Sequence, residues 1–440
     1  MAKLTRFLVP GLILLAAMAL VIGCAPAEEE AETSDVDYTD NPWTDGEDLS
    51  GRRVDMFGAF VDEDARRFRN SMERFEEETG IEVVYEGSGD FESLITVRVE
   101  GGSPPDIASF PQPGLAADFG DDLIAVTDWF SEDYLLDQYD QSWLDMATVD
   151  DKMLGIWYRT SVKSLVWYPE AEFEEAGYEV PETWDELIAL SDQIVEDGGY
   201  PWTIGIESAG ATGWPATDWI EDIMLRTATP EQYDAWVAGE LPFSSSEVRR
   251  AFEILGEIWF NEDYVLGGTD GILLTPFGDA PNPLFEEPPA AWLHRQASFI
   301  TSFFPEEAES GDVNYFYLPP IDEEQGNPVL VAGDMFSPFV DRPEVRALMR
   351  YLTQGVSTRE WLEAGGFVSP HKDTPLDWYP TDEDRGYAEM TRNADVVRFD
   401  ASDLMPGSVG AGSFWSEIVN WINGKDLDDV LNDIDESWPD

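Results

Sequence analysis

The chain has 440 residues, enough for two or three domains with separate cores, and its hydrophobic share of 43% excludes a wholly disordered polymer. Lys and Arg number 25 against 91 Asp and Glu, a formal net charge of −66. A surface this negative repels nucleic acid and anionic lipid, which excludes both as ligands. The acids are spread along the whole chain rather than gathered in a tail. That distribution reads as adaptation to a saline medium, where molar salt shortens the Debye length to about 3 Å and screens the self-repulsion.

Lys3 and Arg6 precede an apolar run from Phe7 to Ile22, and Gly23-Cys24 follows. A basic start, an apolar centre and a small residue make residues 1–23 a secretory signal peptide. Cys24 is the only cysteine, so no intramolecular disulfide forms. A lone cysteine at that point resembles a bacterial lipobox, in which the thiol is lipidated, although the usual leucine is missing. The alternative, an uncleaved anchor helix, also holds the chain at a membrane. Residues 24–48 are acidic and almost free of aliphatics and read as a disordered tether. No later stretch reaches the roughly 18 apolar residues of a spanning helix.

Arg53 to Phe57 reads as a strand, Asp62 to Thr79 as an amphipathic helix with Ala65, Phe68, Met72 and Phe75 on one face, and Ile81 to Tyr85 as a second strand. Strand, helix and strand at this spacing predict a right-handed βαβ unit. Another strand precedes Phe110. Thr183 and Glu186 make a capping box. Trp202, Ile204 and Ile206 alternate like a strand that ends at Glu207. Six small residues follow, Ser208 to Gly213, then Trp214 in what reads as a loop. Asp218 stands where it would N-cap the next helix. A helix from Asp341 buries Val345, Leu348, Met349 and Leu352, and two helices close the chain, the first ended by Gly424. The class is α/β.

Two histidines, His294 and His371, and a single cysteine leave no material for a structural zinc site or a Cys–His nucleophile. Neither GxxxxGK[ST] nor a GxGxxG after a strand occurs, so nucleotide binding has no support and no cofactor is called for. No run matches a DxDxDG calcium loop; an adventitious calcium site among the carboxylates stays open. Most of the 17 tryptophans belong to the core, Trp184 and Trp361 among them. Trp214, Trp292 and Trp415 lie among Gly, Pro and Ser, where no helix face needs them. Flat apolar faces cover the C–H faces of pyranose rings while carboxylates and amides take the hydroxyls, so the expected ligand is a neutral sugar.

The segments FEEETGIEVVY, GSPPDIASFPQPG, DKMLGIWYRTSVKSLVWYP, GIESAGATGWPATDWIEDIMLR, PPAAWLHRQASF, VLVAGDMFS and MPGSVGAGSFW, in this order, resemble the family 1 extracellular solute-binding proteins of ABC sugar importers, above all the alpha-glucoside-binding branch. The resemblance spans about Arg52 to Trp438. It implies a two-lobed periplasmic-binding-protein-like α/β fold with a hinge and a ligand cleft. The first lobe would take residues 49–164 and 328–372, the second 165–327 and 373–440. It implies no catalysis, a monomer, a small neutral alpha-glucoside as ligand, and importer membrane subunits as partners. Position by position it offers Phe60, Asp62, Gln112, Lys163, Glu207, Trp214, Asp218, Trp292, Gly333, Asp334 and Trp415 as ligand-binding residues, with Asp334 in a loop that could equally be structural. The acidic surface is not a family trait. Two other readings compete: a secreted glycoside hydrolase using a carboxylate pair such as Glu207 with Asp218, and a surface adhesin, for which the expected repeats are missing.

Overall fold

The computed structural model describes residues 37–149, 151–305, 308 and 311–439. The signal segment and Cys24 lie outside these residues, as does most of the stretch read as a tether. Packing begins before Leu49. Trp43 is buried, edge-on to Tyr351 at 4.9 Å, and its indole N–H donates to Gln354 Oε1 at 3.3 Å.

The predicted βαβ unit is present as β1 (Arg53–Gly58), α1 (Asp62–Thr79) and β2 (Glu82–Gly87), with β1 and β2 parallel. Gly80 adopts φ 67° and ends α1. Helix α2 (Phe91–Glu100) leads to β3 (Ile107–Phe110), which pairs with the other edge of β1. Later strands complete this sheet. β4 (Ile156–Val162) is antiparallel to the long strand β8 (Pro328–Pro338), which also pairs with β3 and, in parallel, with β9 (Val396–Phe399). A second, three-stranded sheet has β5 (Leu165–Tyr168) between β6 (His294–Arg295) and β7 (Asn314–Tyr317).

Two apolar cores match the two sheets. The first gathers Val54, Phe57, Phe68, Ile107, Tyr158, Phe336 and Leu348. The second gathers Val166, Leu187, Trp219, Ile223, Leu255, Phe414 and Ile434, largely from α3 (Trp184–Glu196), α4 (Trp214–Thr227) and the closing helices α5 (Trp415–Ile422) and α6 (Leu427–Asp435). The capping box on α3 is formed as expected.

The backbone changes core repeatedly, and three of these passages lie side by side. Val162 belongs to the first core and Val166 to the second; Leu330 belongs to the second between Val329 and Val331 of the first; Phe399 belongs to the first and Ala401 to the second. The last change of core therefore falls at Asp400 rather than after Lys372, because Tyr379, Tyr387 and β9 join the first core and its sheet. The three passages are bonded to one another: Lys163 N donates to Leu330 O at 2.8 Å and Asp400 N to Val331 O at 2.8 Å.

Residues 202–206 form isolated bridges and not a strand, since Trp202 pairs only singly with Val265 and Leu293. Trp214 is the first residue of α4, not a loop residue. Asp218 is consequently inside that helix, and Gly213 occupies the N-cap position. Asp334 lies within β8, not in a loop.

Candidate functional site

A cavity of about 320 Å³ opens where the two cores meet. One wall comes from the strands of the first sheet. Along β4, alternate residues share a face, so Arg159 and Ser161 point the same way, and Lys163 continues the row just past its end. The facing strand β8 contributes Ala332, Gly333 and Asp334, and Asp334 is the register partner of Arg159. The loop before α1 adds Phe60, the loop before α2 adds Ser88 and Gly89, and the turn after β3 adds Gln112. The opposite wall holds Glu207 to Ala209, Trp214, Pro276, Phe277 and Trp415.

Arg159 is buried and has both partners it needs. Its Nη1 donates to Asp64 Oδ2 at 2.6 Å and its Nε to Asp334 Oδ2 at 2.7 Å. Aromatic rings sheathe it: its guanidinium carbon lies 4.6 Å from the Phe60 centroid, 4.8 Å from Trp361 and 5.7 Å from Phe299. Burial opposes the charge, but the two aspartates prevail and hold Arg159 above its usual range.

Lys163 is likewise buried. Nζ donates to Asp218 Oδ1 at 2.8 Å and to Asp400, and it stands 5.4 Å from the centroid of Trp214. Burial again opposes the charge and the carboxylates again prevail, raising Lys163 above the usual lysine range. Burial also works against the charge of Asp400, yet Lys163 holds it down at about 2. Burial dominates at Asp218, lifted to about 7, and at Glu221 and Asp403, which it also raises well above the ordinary carboxylate range. Asp218, Glu221 and Asp400 could together face a cation, their oxygens lying within 4.8 Å of one another. The Lys163 ammonium already supplies positive charge there.

Two acceptor atoms of the wall stand without a partner. Gln112 Oε1 and Asp64 Oδ1 are buried without a protein partner. Gln112 Nε2 donates to Glu92 Oε1 at 3.2 Å, and burial lifts Glu92 to about 7. Trp214 is half-buried, edge-on to Phe277 at 5.1 Å, and Trp415 Nε1 donates to Ser402 Oγ at 3.3 Å. Gly213, at φ 118°, lets the turn before Trp214 press on Trp415; a Cβ there would stand 2.4 Å from the Trp415 carbonyl oxygen.

Eight of the eleven expected residues line this cavity: Phe60, Gln112, Lys163, Glu207, Trp214, Gly333, Asp334 and Trp415. Three do not. Asp62 is exposed at the first position of α1, and Asp64, two residues on, turns inward beneath Arg159. Asp218 is fully buried behind the wall and is committed to Lys163, so it cannot pair with Glu207 across a ligand. Trp292 packs edge-on to Tyr178 at 5.0 Å, away from the cavity. Arg159, Asp64, Glu92, Phe277, Phe299, Asp400 and Asp403 went unnoticed. The alternation of Arg159, Ser161 and Lys163 in YRTSVK was the available signal for the first of them.

Residues 62–354 match the family described as bacterial extracellular solute-binding protein. The osmoprotective compounds-binding protein GgtB of Synechocystis sp. is 48% identical over 394 residues, covering 89% of this chain and 94% of that one. The alpha-glucosides-binding periplasmic protein AglE of Rhizobium meliloti is 41% identical over 451 residues, covering 97% and 98%. Among solved structures, the bacterial solute receptor AcbH superposes with a TM-score of 0.76 at 17% identity, covering 88% of this chain and 98% of that one. Maltose-bound MalE3 of T. maritima gives 0.69 at 17% identity with the same coverage. The chain belongs to the bacterial extracellular solute-binding protein family, and its fold is the two-lobed one of that family.

Proposed function

We propose that this protein is the receptor of an ABC importer for a small neutral glycoside, which it captures between its two regions and delivers intact to the membrane subunits. One observation carries the reading. Both cations of the cavity, Arg159 and Lys163, are already paired with two aspartates each, while aromatic faces and unpartnered acceptors remain. An anionic ligand would find no free positive charge. A sugar finds Trp214, Phe277 and Phe299 for its C–H faces and Asp64 and Gln112 for its hydroxyls.

A cavity of 320 Å³ is at the small end of the range for ligand sites, about 300 to 1,000 Å³. This favours one or two rings: trehalose, maltose, sucrose or a glucosylated polyol such as glucosylglycerol. The names of GgtB and AglE, an osmoprotectant binder and an alpha-glucoside binder, support the same class. On this reading the first lobe comprises the first core with β8 and β9, and the second the remainder, with the hinge at Lys163, Leu330 and Asp400. The protein works outside the cytoplasmic membrane, tethered through a lipid on Cys24, as a monomer in a saline medium. A thermal-shift panel of the four sugars at high salt tests the ligand class. Stabilisation by at least one supports it, and stabilisation by none defeats it.

A further inference from the structure

The mouth of the cavity is bridged by a contact that the capture of a ligand does not itself require. Asp90 occupies the N-cap position of α2, where an aspartate ordinarily accepts from the helix's own first N–H groups. Its carboxylate makes no such bond. Oδ1 instead accepts the backbone N–H of Gly210, 120 residues along the chain, at 2.9 Å. Asp90 precedes Phe91 of the first core, whereas Gly210 lies between Ile206 and Ala216 of the second. The bond therefore joins the two regions at a point separate from the three backbone passages.

Both partners are built to meet. Ser208 to Ala211 forms a tight turn in which Ala209, not a glycine, adopts φ 48°. Local bonds hold this strained shape: Glu207 Oε1 accepts the Ala209 N–H at 2.9 Å, and Thr212 Oγ1 accepts the Ser208 N–H at 3.0 Å while donating to Ala209 O at 2.8 Å. The result is an outward-facing N–H at Gly210. On the other side Ser88 Oγ accepts the Asp90 N–H at 3.1 Å and fixes that loop. Ser88, Gly89, Ser208 and Ala209 all line the cavity, so the bond lies at its rim.

We infer that Asp90 is a latch: its carboxylate, clamped on the Gly210 N–H, holds the mouth shut and sets how long a ligand is retained. Asp90 is a positioning residue and need not touch the ligand. Glu207, counted as a sugar contact from the sequence, has a second role as the brace that presents the Gly210 N–H. The inference rests on the sugar-receptor reading for its ligand but not for its geometry.

Stopped-flow tryptophan fluorescence with trehalose, maltose, sucrose and glucosylglycerol tests it. Asp90→Ala removes the acceptor. Gly210→Ala places a Cβ 2.8 Å from Asp90 Oδ1 and strikes the same bond from the other side. A charge-assisted but exposed hydrogen bond predicts dissociation faster by about threefold to tenfold in each variant, with association within about twofold and the melting temperature nearly unchanged. The double variant should be no faster than either single one. Unchanged dissociation in both single variants, with the sugar still bound, overturns the latch.

A second measurement needs no sugar. A Cβ on Gly89 would lie 3.6 Å from the Ala209 Cβ, within disulfide range. In a Cys24→Ser background, Gly89→Cys with Ala209→Cys should crosslink readily, and adding Asp90→Ala should slow the crosslinking. An equal rate with and without Asp90 overturns the latch. If no sugar binds but Asp90→Ala slows crosslinking, the ligand reading fails and the latch stands.

Discussion

Two buried basic residues four positions apart, Arg159 and Lys163, have the same kind of partners and opposite surroundings. Arg159 lies within the first region, and its two aspartates come from α1 and β8 of that region, among aromatic rings of which Phe60 and Phe299 line the cavity. Lys163 lies where the backbone passes between regions, and its partners are Asp218 of α4 and Asp400 at another passage. Arg295 extends this second cluster, reaching Asp218 at 3.4 Å and Asp222 at 2.8 Å. The first cluster shapes a wall. The second pins together segments that must bend if the regions move. On the proposed function, similar ion pairs serve recognition in one place and the hinge in the other.

Removing each cation should expose the difference. Lys163→Met leaves Asp400 buried with no compensating charge and Asp218 with Arg295 alone at 3.4 Å, beside Glu221 and Asp403, and should cost on the order of 3 to 5 kcal/mol in thermal or urea unfolding. Arg159→Met leaves Asp64 and Asp334 on a cavity that water can enter, so its cost should be smaller and its main effect should be on sugar affinity. Equal stability losses, with unchanged affinity in Arg159→Met, would break the comparison.

Acid sharpens it, because each region holds one buried histidine. His371, in the first, is bonded to Tyr139 and Leu352; His294, in the second, faces the Thr203 carbonyl. Burial lowers both from 6.5 to about 4. The folded state then binds fewer protons than the unfolded chain between these values, so stability is intact above pH 6.5 and falls as pH drops towards 4. The shift corresponds to roughly 3 kcal/mol per histidine. Because the raised carboxyls of Glu92 and Asp218 act in the opposite sense, the histidine contribution is read as a difference: between neutral pH and pH 4, His371→Gln and His294→Gln should each lose less melting temperature, or gain more, than the wild type. A slope unchanged in both variants would contradict the assignment.

Trp214→Ala tests the aromatic face beside the Lys163 cluster. Losing an aromatic face should weaken sugar binding by about 1 to 3 kcal/mol, or roughly one to two decades. Because Trp214 is the half-buried first residue of α4, the fold should survive. A large drop in melting temperature with unchanged affinity would make it a packing residue.

The sequence showed most of the scaffold and about half of the site's logic. The βαβ unit, the capping box at Thr183 and the closing helices were legible because each is set by local periodicity and capping chemistry. The resemblance located loops better than atoms. It pointed to GAFVDED, whose Phe60 and Asp64 line the cavity, but to Asp62, which does not, since only the start of α1 decides that the third helical residue turns inward. Asp218 looked like a cap because the onset of α4 at Trp214 depends on Gly213 packing against Trp415, some 200 residues away. Asp400 was invisible for a similar reason: its importance comes from β9 joining the first sheet, a long-range pairing.

The central claim is that the cavity between the two clusters takes up a neutral glycoside without altering it. Calorimetric titration of the wild-type protein with trehalose, maltose, sucrose and glucosylglycerol in high salt, followed by recovery of the sugar, tests it most directly. The account predicts one-to-one binding of at least one of them, weakened in Trp214→Ala, with the sugar recovered intact. Binding of none, or recovery of hydrolysed sugar, would contradict it.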